Sequence, residues 1–193
     1  TGTMTNMATT TSPVPGVAGQ ALNFDKVDDI INCGSAATLD NLAAMTVSAW
    51  INPISGGENS VGMIFNKRET IATGWQVRVI TVNALNFGVF HTTTNLYRTT
   101  SDNSITLNNW QHVLVTWDGS LTATNVHIYM NGVETTYKNE GNATGTRDDS
   151  ANNLHIGNGT ATTESFDGKI DEVRIYNRVL SAAEITELYN MGR

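Results

Sequence analysis

The chain has 193 residues, a formal net charge of −7 and one cysteine, Cys33. The acidic balance disfavours nucleic acid and anionic membranes as primary partners, because both carry negative charge themselves. A single cysteine excludes an internal disulfide and a cysteine-based zinc cluster, and no apolar run approaches the roughly 20 residues of a membrane helix. We therefore expect one domain that neither inserts into membranes nor binds nucleic acid.

Residues 1 to 19 show no apolar periodicity and contain two of the three prolines, Pro13 and Pro15. Such a segment is typical of a flexible linker. The sequence therefore predicts a linker over residues 1–19, a domain over 20–193, and a place for this domain within a longer, multidomain chain.

Four segments alternate apolar and polar residues with a period of two, which predicts strands with one buried face. The buried faces are Val47, Ala49 and Ile51; Trp75, Val77 and Val79; Leu85, Phe87 and Val89; and Val113, Val115 and Trp117. Turn pairs such as Asn131-Gly132 separate the strands and predict a hairpin over residues 126–136. Trp50 lies in the opposite phase from its strand's buried face, so it either packs under a loop or faces outward.

One helix is predicted, at the C-terminal end. Ser181 and Glu184 have the spacing of a capping box, and Ile185, Leu188 and Tyr189 follow on one face. We expect a short amphipathic helix that covers the core. The complete prediction is an all-β fold, a two-sheet antiparallel β-sandwich with a short C-terminal helix.

Four motifs occur in a fixed order: residues 21–30 (ALNFDKVDDI), 45–53 (MTVSAWINP), 110–119 (WQHVLVTWDG) running on to 128–132 (IYMNG), and 166–181 (FDGKIDEVRIYNRVLS) followed by Glu184-Ile185. Together they resemble a laminin G-like jelly roll of the concanavalin A-like lectin/glucanase superfamily. The resemblance implies two stacked antiparallel sheets with neighbouring first and last strands. It also implies a recognition or adhesion module of secreted and cell-surface proteins. The chain departs from the family at Lys26, where glycine is usual.

Catalysis is the main alternative, since the same superfamily contains hydrolases and lyases. Retaining glycosidases need two carboxyl groups about 5 to 5.5 Å apart, and the laminarinase-type pattern is Glu-x-Asp-x-x-Glu on one strand. The nearest stretch has Asp171 and Glu172, which point to opposite faces of a strand, with no second glutamate following. The sequence thus predicts no catalytic residue. A polysaccharide hydrolase or lyase and a purely structural spacer remain the alternatives.

The outward positions of the middle strands combine amide, guanidinium and aromatic groups. Sugar sites need planar donors and acceptors for hydroxyls beside an aromatic face. We therefore predict a carbohydrate or cell-surface protein ligand on this face; a merely solvated sheet face is the alternative. The predicted ligand-binding residues are Gln76, Arg78, Asn86, Phe90, His91, Tyr97 and Arg98.

The resemblance also implies a structural calcium ion, because related domains often hold one where the turn after the first strand meets the last strand. In this chain Asp25, Asp28 and Asp29 lie in that turn and Asp171 lies in the last strand. Calcium takes six to eight oxygen ligands, so Asp25, Asp28 and Asp171 are the predicted metal ligands. The alternative is a solvated acidic turn that Lys26 partly neutralises.

Overall fold

The computed structural model describes residues 2–8, 10–69 and 73–192, and in it two antiparallel sheets pack face to face. In spatial order, the eight-stranded sheet contains β1 (Thr3–Thr5), β4 (Ile30–Asn32), β14 (His155–Ile156), β6 (Val61–Arg68), β7 (Gly74–Ile80), β8 (Ala84–Phe90), β9 (Leu96–Thr100) and β13 (Tyr137–Gly141). The seven-stranded sheet contains β12 (Val133–Glu134), β11 (Val126–Met130), β10 (Gln111–Trp117), β5 (Met45–Pro53), β15 (Asp167–Tyr176), β3 (Gln20–Asp25) and β2 (Pro13–Pro15). Short 3-10 turns occupy Ala37–Leu39, Glu58–Ser60 and Ala123–Asn125, and helix α1 spans Ala182–Met191. The predicted all-β sandwich with a C-terminal helix is confirmed.

The core lies between the two sheets and is built from the faces that the period-two pattern predicts. All four predicted apolar faces are buried, and the rings of Trp75 and Trp117 are among the largest fully buried side chains. β5 lies between β10 and β15, with Val47 directly opposite Val115. Because paired residues share a face of a sheet, this register places both apolar faces in the same core.

The first and last strands of the predicted domain are neighbours, as the resemblance implies. β3 pairs with β15, with Asp25 opposite Asp167 and Leu22 opposite Ile170. Lys26 follows β3 with a φ of 68°, the left-handed conformation that favours glycine. The turn therefore keeps the backbone shape of a glycine turn in spite of the lysine.

The N-terminal segment differs from the linker interpretation. β1 pairs with β4 and β2 pairs with β3, so both short segments are edge strands of the two sheets. Met7, between them, is buried against the core. Edge strands need no alternating apolar face, and this explains why the sequence pattern does not reveal them.

Helix α1 covers the outer face of the seven-stranded sheet. The predicted capping box is present, with Ser181 Oγ accepting from the Glu184 N–H. Ile185 and Leu188 pack on Leu114 of β10, and Trp50 lies under the helix, stacked on the Tyr189 ring with centroids 5.7 Å apart. Within the residues described, no helix has the length and apolar character needed to cross a membrane.

Candidate ligand-binding groove on the eight-stranded sheet

One row of directly paired residues crosses the outer face of the eight-stranded sheet. Their neighbours along the strands, including Phe65, Val77 and Phe87, face the core, so the row faces away from it. The row consists of Asn32, His155, Asn66, Gln76, Gly88, Tyr97 and Gly141. The row therefore crosses seven strands at a single level, with polar side chains on its first four strands and an aromatic ring, Tyr97, between two glycines on its last three.

The polar side chains that are buried on this outer face, which no second sheet covers, include three amides and a threonine. They are Asn66, Gln76, Asn86 and Thr99. The loop of residues 157–166 lies over one end, where Thr160 Oγ1 is 3.4 Å from Asn66 Nδ2. Asn86 Nδ2 donates to Thr99 Oγ1 at 2.9 Å. These contacts hold the amides in fixed orientations, as a binding site requires.

A cavity of about 300 Å³ lies at the centre of this face. Its lining includes four of the seven predicted ligand residues: Arg78, Asn86, Phe90 and Tyr97. Gly88, Asn95, Leu96, Thr99 and Asn139 complete the lining. We refer to this cavity, with the residues that line it, as the groove. Its volume lies at the lower end of the range of small-molecule sites.

The Arg78 guanidinium is held on one side by two amides. Its Nε donates to Asn86 Oδ1 at 3.2 Å. With its amide oxygen turned toward the guanidinium, Gln76 accepts from Nη1 at 3.2 Å and from Nε at 3.1 Å. Glu164 Oε1 lies 3.8 Å from Nη1, which is too far for a hydrogen bond. Burial lowers the pKa of Arg78, Glu164 counteracts that effect, and the nearby Arg68 adds to it.

A second cavity of about 180 Å³ contains Gln76, which bonds Arg78 of the groove. Arg68, Glu69 and Glu164 also line it. The Glu164 loop is positioned by Asn158, whose Oδ1 accepts from the Gly159 N–H at 2.8 Å and from the Glu164 N–H at 3.2 Å. The loop between β14 and β15 thus brings a carboxylate to the outer sheet face.

The two aromatic residues of the groove have different surroundings. Phe90 is packed against Gly88, where an added Cβ would lie 3.3 Å from the ring, and the Arg68 guanidinium lies 3.9 Å from the ring centroid. Tyr97 lies over Gly141, where an added Cβ would overlap the ring. Because Gly88 and Gly141 flank Tyr97 across the sheet, no side chain stands on either side of it in this row. Tyr97 is therefore the aromatic residue best placed to contact a ligand.

Two predicted ligand residues lie elsewhere. Arg98 pairs with Phe87 and so faces the interior, where it covers the Tyr137 ring and donates to the Val126 carbonyl of the other sheet. His91 follows β8 in the phase of the buried Val89, and its Nδ1 lies 3.3 Å from the Val89 carbonyl oxygen. Both predictions are wrong about the face, because consecutive strand residues point in opposite directions. Gln76, by contrast, does not line the groove itself but orients the Arg78 guanidinium that does.

The predicted metal ligands are only partly brought together. Asp25, Asp28 and Asp29 each place one carboxylate oxygen within 4.8 Å of the others. Asp25 pairs with Asp167, and Asp171 lies four residues further along β15, a distance of roughly 13 Å at the spacing of strand residues. The carboxylate oxygens of Asp171 accept hydrogen bonds from the N–H groups of Val17, Ala18 and Glu172. The Asp171 side chain is therefore an acceptor for backbone N–H groups, and the third carboxylate of the acidic cluster is that of Asp29.

Three further residues of this face were not predicted from the sequence. Asn66 alternates with the buried Phe65 in β6, a pattern that could have revealed it. Asn139 lies on the edge strand β13, and Glu164 comes from a loop. Neither of the last two has a local sequence pattern that would place it beside β7 and β8.

A family model described as the concanavalin A-like lectin/glucanases superfamily, of laminin G type, matches residues 25–186. The match includes every residue of the groove. No curated protein matches the chain at a significant level.

Solved structures with the same fold include toxin binding domains. The binding domain of Paraclostridial mosquitocidal protein 1 superposes with a TM-score of 0.71 at 17% identity, over 98% of this chain and 47% of that one. A structure of botulinum neurotoxin type C, a toxin whose cell entry is described as dependent on interaction with two ganglioside molecules, superposes with a TM-score of 0.64 at 16% identity. The superposition covers 86% of this chain and 40% of that one. The binding domain of botulinum neurotoxin DC in complex with rat synaptotagmin II gives 0.62 at 15% identity, over 100% and 46%. The chain spans less than half the length of each of these structures.

Proposed function

The chain belongs to the concanavalin A-like lectin/glucanases superfamily, and on that premise we propose that it is a non-catalytic module that binds glycans in the groove, as part of a secreted or cell-surface protein. Two of the structures reported above are named as binding domains, one of them in complex with rat synaptotagmin II, and the third is named for an interaction with gangliosides, which supports a binding role for this fold. A protein ligand on the same face is the second candidate. Fold similarity alone does not assign a ligand, so the proposal depends on the groove.

The observation that carries the proposal is the convergence of Arg78, Asn86, Phe90 and Tyr97 from three neighbouring strands on one cavity. Sugar hydroxyls need hydrogen-bond donors and acceptors in fixed positions, and the apolar face of a sugar ring packs on an aromatic ring. The groove offers amide and guanidinium groups held by Gln76 and Thr99, beside the Tyr97 ring. Polar groups that are already oriented lose little freedom when a ligand binds.

Replacing Tyr97 by alanine is expected to weaken glycan binding at least tenfold, which corresponds to about 1.4 kcal/mol. The change removes the aromatic surface and leaves the strand pairing of β9 intact. Binding is measured on a glycan array and then by calorimetry with each glycan that binds. Asn86→Ala is a poorer probe, because Asn86 is buried between Arg78 and Thr99 and its loss is expected to lower stability by about 1 to 2 kcal/mol.

Glu187→Ala on the exposed face of α1 is the matched control and should bind as the wild type does. Unchanged affinity in Tyr97→Ala would place the site elsewhere. No binding to any neutral or acidic glycan, with retained binding to a protein receptor, would favour the second candidate.

A hydrolase is the rival from the enzyme class, and one observation favours it: Glu69 and Glu164 line the same cavity. The same preparations should therefore be assayed for reducing-sugar release from each glycan that binds. Our proposal expects none. Release that Glu164→Gln abolishes would establish the hydrolase instead.

We also propose that the acidic cluster of Asp25, Asp28 and Asp29 holds a structural calcium ion. Hard carboxylate oxygens are the ligands that calcium prefers, and the three side chains fit that chemistry. The pKa of Asp29 is raised, first by burial and then by the charges of Asp25 and Asp28. Because the charged form of Asp29 is disfavoured in the native state, a cation at this position would offset an existing destabilisation.

Removal of calcium is expected to lower the melting temperature by about 5 to 10 °C. At free calcium near 100 times its Kd, binding adds roughly 2.7 kcal/mol, and about 2 to 4 °C corresponds to each kcal/mol in a domain of this size. Scanning calorimetry with calcium and with EGTA measures the difference. Asp29→Asn keeps an acceptor for the Asp25 N–H and should abolish the response, whereas Asp171→Asn should retain it. Equal melting temperatures with and without EGTA would reject the site.

A further inference from the structure

The Arg78 guanidinium is fixed in orientation without a hydrogen-bonded carboxylate among the described residues. Two amides hold its Nε side, and the nearest acid, Glu164, stays at 3.8 Å. The side chain is only 28% exposed, so its access to water is restricted. A half-buried guanidinium in this state gains most from a ligand that supplies an anion.

A carboxylate fits this position better than a neutral hydroxyl does. A guanidinium presents parallel N–H donors in one plane, and the two oxygens of a carboxylate accept them together. Arg68 lies close enough to Arg78 to lower its pKa, so the two cations together make the electrostatic potential of this part of the face more positive. The aromatic ring of Tyr97 and the amide of Asn139 line the same groove and remain available for the rest of the ligand.

We propose that the groove selects glycans that carry a carboxylate, such as uronic or nonulosonic acid residues, through Arg78. This inference rests on the proposed glycan-binding function and names the ligand class of the same site. In the free protein Glu164 Oε1 lies 3.8 Å from Arg78 Nη1, beside the position that the anion would take. It therefore competes with the carboxylate of the ligand rather than binding the ligand itself.

The test compares probes that differ only in the charged group. One pair is methyl β-D-glucuronide and methyl β-D-glucoside; the other is the methyl glycoside of N-acetylneuraminic acid and its methyl ester. The Nε–H signals of the arginines are followed by nitrogen-15 NMR during millimolar titrations, and Arg78→Gln identifies the Arg78 signal. At least one acid is expected to shift this signal in a saturable way, with at least tenfold weaker binding of its neutral partner.

Variants separate recognition from folding. Arg78→Gln should bind the acid at least tenfold more weakly than the wild type does, and the affinity of Arg78→Lys should lie between those two. Arg174→Gln, on the other sheet, should bind the acid as the wild type does. Glu164→Gln should strengthen acid binding severalfold, an effect that a purely structural role would not produce.

Three outcomes would overturn the inference: no Arg78 shift with either acid, equal binding of acid and neutral probes, or weaker acid binding in Glu164→Gln. If array glycans bind with dependence on Tyr97 but regardless of charge, the inference fails and the proposed function stands. If no glycan binds at all, both fail.

Discussion

Replacing Asp149 by alanine is expected to lower the free energy of unfolding by about 3 to 5 kcal/mol, because it removes a buried carboxylate that pairs with Arg147 and lies beside the buried Lys67. Lys67 is completely buried, and Asp149 is completely buried beside it. Urea unfolding at pH 7, followed by tryptophan fluorescence, measures the difference. The removal of one partner from a buried charged network is among the few single changes that destabilise a protein this strongly.

The network joins three segments that are distant in sequence. Lys67 Nζ donates to the Asp149 carbonyl at 2.8 Å, to the Asn152 carbonyl at 2.8 Å and to Asp40 Oδ1 at 3.0 Å. The Asp149 carboxylate accepts from the Asn41 N–H at 2.7 Å and from Arg147 Nη1, also at 2.7 Å. Loss of the Asp149 carboxylate therefore removes the acceptor of the Asn41 N–H and of one Arg147 N–H, and it takes away one of the carboxylates beside the Lys67 ammonium.

Asp148→Ala is the matched control, since this neighbouring carboxylate is exposed and its loss leaves no buried charge. Its effect should be much smaller than that of Asp149→Ala. Lys67→Met should also be strongly destabilising, because it leaves the Asp40 carboxylate and the carbonyls of Asp149 and Asn152 without their donor. A difference below about 1 kcal/mol for Asp149→Ala would show that the network contributes little to folding.

Much of the fold can be predicted because its strands are regular. The alternation through Trp75 and Val77, or through Val113 and Val115, follows directly from burial on one side only, and the order of the motifs identifies the sandwich. Lys67 shows where the pattern fails. It lies in phase with the buried Phe65, yet a lysine at that position favours an outward orientation in any analysis of the sequence alone. Only the loops around Asp149 make its burial possible.

The site follows the same division. Strand alternation correctly places Arg78, Asn86 and Tyr97 on one face, and the same rule, applied strictly, excludes Arg98 because it follows Tyr97 directly. Glu164 depends on the path of a loop that Asn158 anchors, and that path leaves no local pattern in the sequence. The cluster at Asp25 is local and was recognised, whereas the role of Asp171 depends on how far along β15 it lies.

His112 is expected to make the protein less stable in mild acid. It is 2% exposed, with its ring 5.5 Å from that of Trp50 and 6.3 Å from that of Tyr189. Its Nδ1 has no hydrogen-bond partner within the described part of the chain. Burial, and to a lesser extent Arg174, lowers its pKa from 6.5 to about 4. Arg174 and Glu172 line the same small cavity beside it.

The lowered pKa means that the unfolded chain takes up a proton at His112 before the native protein does. Stability is therefore fully present above pH 6.5 and is lost as the pH falls from 6.5 to about 4, by roughly 3 kcal/mol in all. His91 and His155, whose pKa values burial also lowers, add to the loss in the same direction, whereas the carboxylates of Asp148 and Glu184, whose pKa values are lowered to about 2, titrate below this window. Urea unfolding at pH 7 and pH 4.5 should show the loss in the wild type.

His112→Phe keeps an aromatic ring between Trp50 and Tyr189 and removes the titrating group. It should therefore lose far less stability than the wild type between pH 7 and pH 4.5, whereas His127→Gln, at an exposed histidine, should retain most of the wild-type loss. An equal loss in the wild type and in His112→Phe would show that folding does not lower the pKa of His112.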